Sequence, residues 1–380
     1  MLLKKTFKFR LNPTCEQERQ FLQFAGAKRW LYNWGLEQRK IAWEQGQQSV
    51  SLFAQQKWLT LLKTDEKTSW LREVHSQVLQ QALQDLERAY THFFRPLKSQ
   101  NGQKPGYPRF KRRGEFDSFR YPQGVKLEED RAWLPKIGWV GFRKSREIEG
   151  TIKQTTILRD GKGWHVCFSC EREVAVPTIK THNPAGIDLG LEYFAVIATE
   201  NGETKIENPR FLREDLNHLK FLSRQVSKKQ IRSSNREKAK ARLRVAHARV
   251  HNRRNDFLQR LSTQLVENQE ALAVEKLAVS AMLEKAPRGL AREIGGVGWR
   301  QFLQMLKYKC LHAGKAFVEM DRYFPSSQIC STCDKRNHLS LQERIYRCEC
   351  GLVVHRDINS ARIVRAAGMS VLKSLWSCPV

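Results

Sequence analysis

Four cysteines stand in two close pairs, Cys330-Ser-Thr-Cys333 and Cys348-Glu-Cys350-Gly351. Two ligands from one tight turn, given twice, match a tetrahedral structural zinc site, and Gly351 suits the turn after the second pair. The second pair is short by one residue against the commoner spacing. His338 and His355 lie near enough in the sequence to replace a cysteine. Two disulfides are the alternative, but they need an oxidising compartment. A module this small has almost no core, so bound metal would supply its folding energy. Asp357 follows Cys350 by seven residues and opens a helix of small residues. Alone it reads as an N-cap.

Two more carboxylates break the local pattern. Asp188 sits inside the apolar run Ala185-Gly-Ile-Asp-Leu-Gly-Leu, read as the first strand of a hairpin, and Glu275 ends the apolar strand Ala271-Leu-Ala-Val-Glu275. An ionised carboxylate in such a place is costly unless paired or bound to metal, and broken local rules mark functional sites. Asp188, Glu275 and Asp357 have separate backbone origins. They can converge on one edge of a sheet and hold two hard divalent cations, Mg²⁺ or Mn²⁺. Two such ions about 4 Å apart clamp the attacking water and the leaving oxygen of a phosphodiester.

The charge points the same way. The 380 residues include 67 Lys+Arg against 39 Asp+Glu, a net charge of +28. Such an excess self-repels unless a polyanion neutralises it, which favours nucleic acid and a steep salt dependence. A membrane partner is not expected: no run reaches ~18 apolar residues, and Met1-Leu-Leu-Lys-Lys-Thr-Phe lacks a signal-peptide core. The odd count of nine cysteines fits a reducing, cytoplasmic setting.

The elements that must position these groups are legible in outline. Lys4–Leu11 alternates as a strand, and Asn12-Pro13 breaks it. Thr14 with Gln17 forms a capping-box pattern that starts a helix running to Gln45. Further helices are expected over 51–62 and 75–94. The first turn of the latter carries Ser76, Gln77 and Gln80, which could read base edges in a groove; a solvated polar face explains them as well. Arg95–Arg120 reads as a basic loop in which Tyr107, Arg109, Phe110, Lys111, Arg112 and Arg113 interleave rings with cations, as phosphate contact and base stacking require. Strands over 132–134, 139–143, 151–158 and 164–173 should form a small barrel with the first strand. Cys167 and Cys170, on opposite faces of one strand, read as core residues. Residues 178–184 look like a linker. Residues 209–254 form basic helices, with Lys228, Lys229, Arg232, Arg253 and Arg254 as nucleic-acid candidates. Residues 283–298 read as a Gly-rich loop. A helix over 299–312 and a strand over 315–321 precede the cysteine segment. The helix from Asp357 is expected to end near Ala367, and the tail beyond it has no assignment.

The chain resembles the TnpB family, RNA-guided nucleases of small insertion sequences related to type V CRISPR effectors. The resemblance spans nearly the whole length. It is carried by Gly186-Ile-Asp-Leu-Gly190, Asn252-Arg-Arg-Asn-Asp-Phe-Leu258, Val274-Glu275-Lys-Leu277, Phe324-Pro-Ser-Ser-Gln328, both cysteine pairs and His355-Arg-Asp-Ile-Asn359. It implies a multidomain α+β fold. A β-barrel wedge domain (1–11 and 121–180) would hold an inserted helical recognition domain (12–120). A RuvC/RNase H-like α/β nuclease domain (181–322 and 353–370) would follow, interrupted by a zinc ribbon (323–352), with a tail over 371–380. It implies catalytic Asp188, Glu275 and Asp357 holding Mg²⁺ or Mn²⁺, and structural Zn²⁺ on Cys330, Cys333, Cys348 and Cys350. It also implies a guide RNA from the element's own end and a double-stranded DNA target beside a short motif, near which Ser76, Gln77 and Gln80 would lie. The setting would be a bacterial or archaeal cytoplasm or nucleoid. The chain departs from the family pattern at the shortened second pair and at Asp334, where Gly is common. A guided DNA-binding repressor without nuclease activity, and a transposase that cuts and joins DNA, are the competing readings.

Overall fold

The computed structural model describes residues 2–98, 106–114, 117–161, 163–173, 184–321, 324–340 and 343–376, and the chain divides into two units, 1–174 and 175–380. Only Pro184 of the expected linker lies among the described residues.

In the first unit, β1 (Leu2–Asn12) leads into α1 (Cys15–Gly46), α2 (Leu52–Thr64) and α3 (Ser76–Lys98) before the chain returns to strands. The capping box forms: the Thr14 hydroxyl accepts from the Gln17 N–H, and the Gln17 side chain accepts from the Thr14 N–H. The strands are β2 (Ser118–Tyr121), β3 (Lys126–Glu128), β4 (Arg131–Leu134), β5 (Gly138–Phe142), β6 (Thr151–Asp160) and β7 (Gly163–Glu173). They join β1 in one antiparallel seven-stranded sheet of order β2-β6-β7-β1-β5-β4-β3. Among the described residues no ladder joins β2 to β3, so hydrogen bonding does not close this sheet as a barrel would be closed. One core spans sheet and helices: Phe7, Phe9, Phe142 and Phe168 from strands are buried with Phe21, Phe24, Val78 and Leu83 from helices. Cys170 is buried in that core, and Cys167 is half-buried.

The second unit is built on β8 (Pro184–Leu189), β9 (Tyr193–Thr199), β10 (Gly202–Glu207), β11 (Ala271–Glu275) and β12 (Ala316–Met320), in the order β10-β9-β8-β11-β12. The first three strands form an antiparallel meander, and β11 runs parallel to both β8 and β12. Parallel neighbours require crossovers. They are α4 (Phe211–Ser227) with α5 (Ser234–Asn268), then α6 (Val279–Lys285), α7 (Arg288–Val297) and α8 (Trp299–Ala313). The expected loop over 283–298 is therefore largely helical; Gly295 and Gly296 lie within α7, and a Cβ on Gly296 would meet Leu212 at 3.3 Å. After the cysteine segment, whose strands are β13 (Ile345–Arg347) and β14 (Val353–His355), α9 (Arg356–Trp376) closes the unit. This helix runs past the expected end at Ala367, because Leu372 is buried with Val318 and Met320.

Strand alternation divides the sheet between two layers. Ile187, Leu189, Leu272 and Val274 pack with Leu258, Leu261 and Phe302 of α5 and α8. Ala271 and Ala273 face α9. Gly186 shares that face: a Cβ there would lie 2.1 Å from the Ala361 carbonyl oxygen, so α9 rests directly on the β8 backbone.

Candidate functional site

The same period of two fixes the carboxylates. Asp188 follows Gly186 by two residues, and Glu275 follows Ala273 by two, so both project toward the α9 face. The parallel register pairs Val274 with Ile187, which places Glu275 beside Asp188 at the carboxyl ends of adjacent strands. Asp357 enters from the first turn of α9 and is buried. A Cβ on Gly190, at the turn after β8, would lie 3.7 Å from Asp357 Oδ2, so that turn stands against the same carboxylate. All three candidate acids therefore lie together at the strand ends, close enough for their charges to interact.

Their electrostatics reflect crowding. Burial, then the Glu275 and Asp357 carboxylates, push the Asp188 carboxyl well above its ordinary value; Arg356 and the Leu189 N–H oppose the shift. Burial also raises Glu275, against the hydrogen bond that the Ser326 hydroxyl donates to it. Arg356 Nε lies 3.7 Å from Asp357 Oδ1. Asp188 and Glu275 are thus pushed toward protonation, and a further cation beside them would favour their ionised forms. The oxygen-rich donor set fits a hard divalent ion.

The cysteines also converge. Cys330 and Cys350 sulfurs lie 3.6 Å apart, and Cys333 and Cys348 sulfurs 3.5 Å apart, with all four within 4.8 Å of one another. Four sulfurs each about 2.3 Å from one tetrahedral ion would stand about 3.8 Å apart, so the cluster fits. The shortened second pair is accommodated by Gly351 at φ +91°, and the first by Asp334 at φ +58°, a region that Asp tolerates better than most side chains. The Cys350 N–H and neighbouring thiols lower Cys348 to about 6. Cys333 rises to about 12: the Lys335 N–H pulls it down, but desolvation and then hydrogen bonds to the other three thiols outweigh it. His338 is exposed and belongs to no metal-competent group among the described residues; His355 groups instead with Glu192 and Asp357.

Asn359 links the two centres. It is fully buried, accepts from the Ser331 N–H at 3.0 Å and donates to the Ile329 carbonyl at 2.6 Å. The first cysteine turn is thereby clamped to the helix that carries Asp357. The sequence reading assigned no role to Asn359, Ser326, Glu192 or Arg356.

The nucleic-acid candidates separate into two groups. Ser76, Gln80, Tyr107, Arg109, Phe110, Arg112, Arg113, Lys228, Lys229 and Arg232 are exposed. Lys40 lies 4.8 Å from the Phe110 ring, and the Tyr107 and Tyr90 hydroxyls are 2.8 Å apart. The others, Gln77 apart, are engaged within the protein. Lys111 packs its ammonium over Tyr32 at 3.8 Å, and burial lowers it to about 8. Arg253 pairs with Glu214 and Asp215 and covers Phe211, while Arg254 donates to the Gly295 and Gly296 carbonyls. Gln77 is half-buried, and its side-chain oxygen has no partner within the protein.

Among known proteins, the profile of a "Probable transposase" family matches residues 165–286, and that of a "Cas12f1-like, TNB domain" matches 299–364. A "Helix-turn-helix domain" profile matches residues 1–48; the structure has one strand and one long helix there. "Putative RNA-guided DNA endonuclease InsQ" of Escherichia coli K12 is 34% identical, covering 97% of this chain and 93% of that protein. A "Putative RNA-guided DNA endonuclease" of Streptomyces pristinaespiralis is 36% identical, covering 97% and 90%. The fold resembles the protein in a Cas12f1-sgRNA-target DNA complex, with a TM-score of 0.57 at 12% identity over 96% of this chain and 99% of that one. It also resembles the mini-RNA-guided endonuclease Cas_phi3, with a TM-score of 0.51 at 10% identity over 97% and 92%. No helix among the described residues is long and apolar enough to cross a membrane.

Proposed function

The chain belongs to the TnpB family, and from that premise we propose that it is an RNA-guided DNA endonuclease of a transposable element. Asp188, Glu275 and Asp357 are its catalytic carboxylates. The observation that carries the reading is their convergence at the strand ends of the five-stranded sheet, an RNase H-like arrangement, with two of them pushed toward protonation. Mg²⁺ or Mn²⁺ held there would supply a water nucleophile and stabilise the departing oxygen. The protein's own part is to hold the carboxyl oxygens in place. Ser326 orients Glu275 by hydrogen bonding, and Arg356 stands against Asp357. Zn²⁺ on Cys330, Cys333, Cys348 and Cys350 is structural: it fixes the segment that Asn359 ties to α9. Sequence choice would come from pairing between a guide RNA, transcribed from the element's end, and one strand of a DNA target beside a short motif. Ser76 and Gln80 are offered as readers of that motif. Arg109, Arg112, Arg113, Lys228, Lys229 and Arg232 would contact phosphates, with Tyr107 and Phe110 available for stacking.

The test is plasmid cleavage by protein co-expressed with the DNA flanking its gene, on a guide-matched target beside a randomised motif. Cutting that requires RNA, match and Mg²⁺ supports the reading. Tight RNA-dependent binding without cutting would favour a guided repressor. Strand joining without RNA would favour a transposase.

A further inference from the structure

Asp357 has a second set of neighbours that the three-carboxylate site does not require. The turn between β8 and β9 brings the Glu192 carboxylate and the end of β14 brings His355, so that ligand atoms of Glu192, His355 and Asp357 lie within 4.8 Å of one another. His355 Nδ1 accepts the Asp357 backbone N–H at 3.4 Å and lies 4.0 Å from Asp357 Oδ2. A neutral ring that accepts at Nδ1 carries its proton on Nε2. The ring's one lone pair therefore faces Asp357, and an ion bound there would displace this long N–H contact. Two ligands each about 2.0–2.2 Å from one cation stand roughly 3–4 Å apart, so this pair can share an ion with little adjustment. The edge of Tyr193 packs against the imidazole with ring centres 5.9 Å apart, which restrains its orientation. Arg356 approaches Asp357 at Oδ1 and Arg344 approaches Glu192 at Oε2, which leaves Asp357 Oδ2 on the imidazole side.

We infer that Glu192, His355 and Asp357 form a divalent-cation site that adjoins the three-carboxylate site through Asp357 and takes a transition-series ion such as Mn²⁺ in preference to Mg²⁺. An imidazole donor selects against Mg²⁺, which favours all-oxygen shells. The three ligands come from the turn after the first catalytic strand, the last strand of the cysteine module and the head of α9, so a bound ion would fasten the module's exit to the three-carboxylate site. The inference rests on the reading above for Asp357 and is independent of it for Asp188 and Glu275.

Pulsed EPR of Mn²⁺ bound to the full, zinc-loaded protein labelled with ¹⁵N-histidine tests it. An imidazole nitrogen coupling is expected in the wild type and in Asp188→Asn, and lost in His355→Gln. Glu192→Gln, at an exposed position, should weaken Mn²⁺ binding by roughly tenfold, while Mg²⁺ competes better against Mn²⁺ in His355→Gln only. Absence of nitrogen coupling in the wild type, or coupling that survives His355→Gln, overturns the inference. The guided-cleavage reading is judged separately by Asp188→Asn, which leaves this ligand set intact.

Discussion

Asp188, a catalytic carboxyl in the proposed function, illustrates how such a group opposes stability. Its proton is held more tightly in the folded protein than in the unfolded chain, since burial and two neighbouring acids raise its pKa. Without divalent ions, the folded state thus binds more protons over the window from the ordinary carboxylate value up to the raised one. Stability is full below that window and is lost as pH rises through it. Asp188→Asn removes the penalty. It should raise the melting temperature of metal-free protein at pH 7–8 by a few degrees, about 1 kcal/mol, and have little effect near pH 4. Scanning calorimetry at both pH values checks this; equal shifts would contradict it. Asp188 and Glu275 were legible in the sequence because an acid in an apolar strand breaks a rule. Glu192 and Ser326 were not, because polar side chains in loops break none, and His355 was read only as a spare zinc ligand; only the fold brings them to the acids.

At the scale of elements, α9 organises the second unit. It lies against β8 and β11 because Gly186 and Gly368 leave room, and a Cβ on Gly368 would meet the Ala273 side chain at 2.3 Å. Gly186→Ala should force the helix away from the sheet, cost about 2–3 kcal/mol and weaken cleavage with it; a melting temperature unchanged within about 1 °C would count against this packing account. Asn359→Ala leaves the Ser331 N–H and the Ile329 carbonyl without their partner. It should cost about 1–3 kcal/mol and speed the loss of zinc to a chelator, measured with a colorimetric zinc indicator; unchanged release would show that the clamp is not needed. The helix starting at Cys15 and the strands that carry the acids were readable because caps and alternation are local signals. The helices over 279–297 were hidden by glycines whose reason is tertiary, such as Gly296 against Leu212. The continuation of α9 to Trp376 depends on burial of Leu372 by strands far away in the chain, which no local pattern announces.

Across the whole molecule, the +28 charge is not uniformly available. Arg253, Arg254 and Lys111, phosphate candidates by composition, have pairing or packing partners within the protein, whereas Lys228, Lys229 and Arg232 are exposed at the turn between α4 and α5. Charge counts are legible in a sequence, but the partner of each cation is not. Replacing Lys228, Lys229 and Arg232 with Ala should lower the magnitude of the log–log salt slope for RNA binding by about 0.7–0.9 per lost phosphate contact and leave melting unchanged. Arg253→Ala should lower the melting temperature with little change in slope. Filter binding across a salt series, beside calorimetry, separates the two outcomes.

The central claim is that three carboxylates, convergent in space, make this chain a guided nuclease. The most direct test measures guided DNA binding and cleavage side by side for Asp188→Ala, Glu275→Ala and Asp357→Ala, each purified with its RNA. The account predicts target binding within about threefold of wild type and cleavage reduced by at least ~10³-fold, roughly 4 kcal/mol of barrier, in every one of the three. Any variant that binds its target and still cuts within tenfold of the wild-type rate would contradict it.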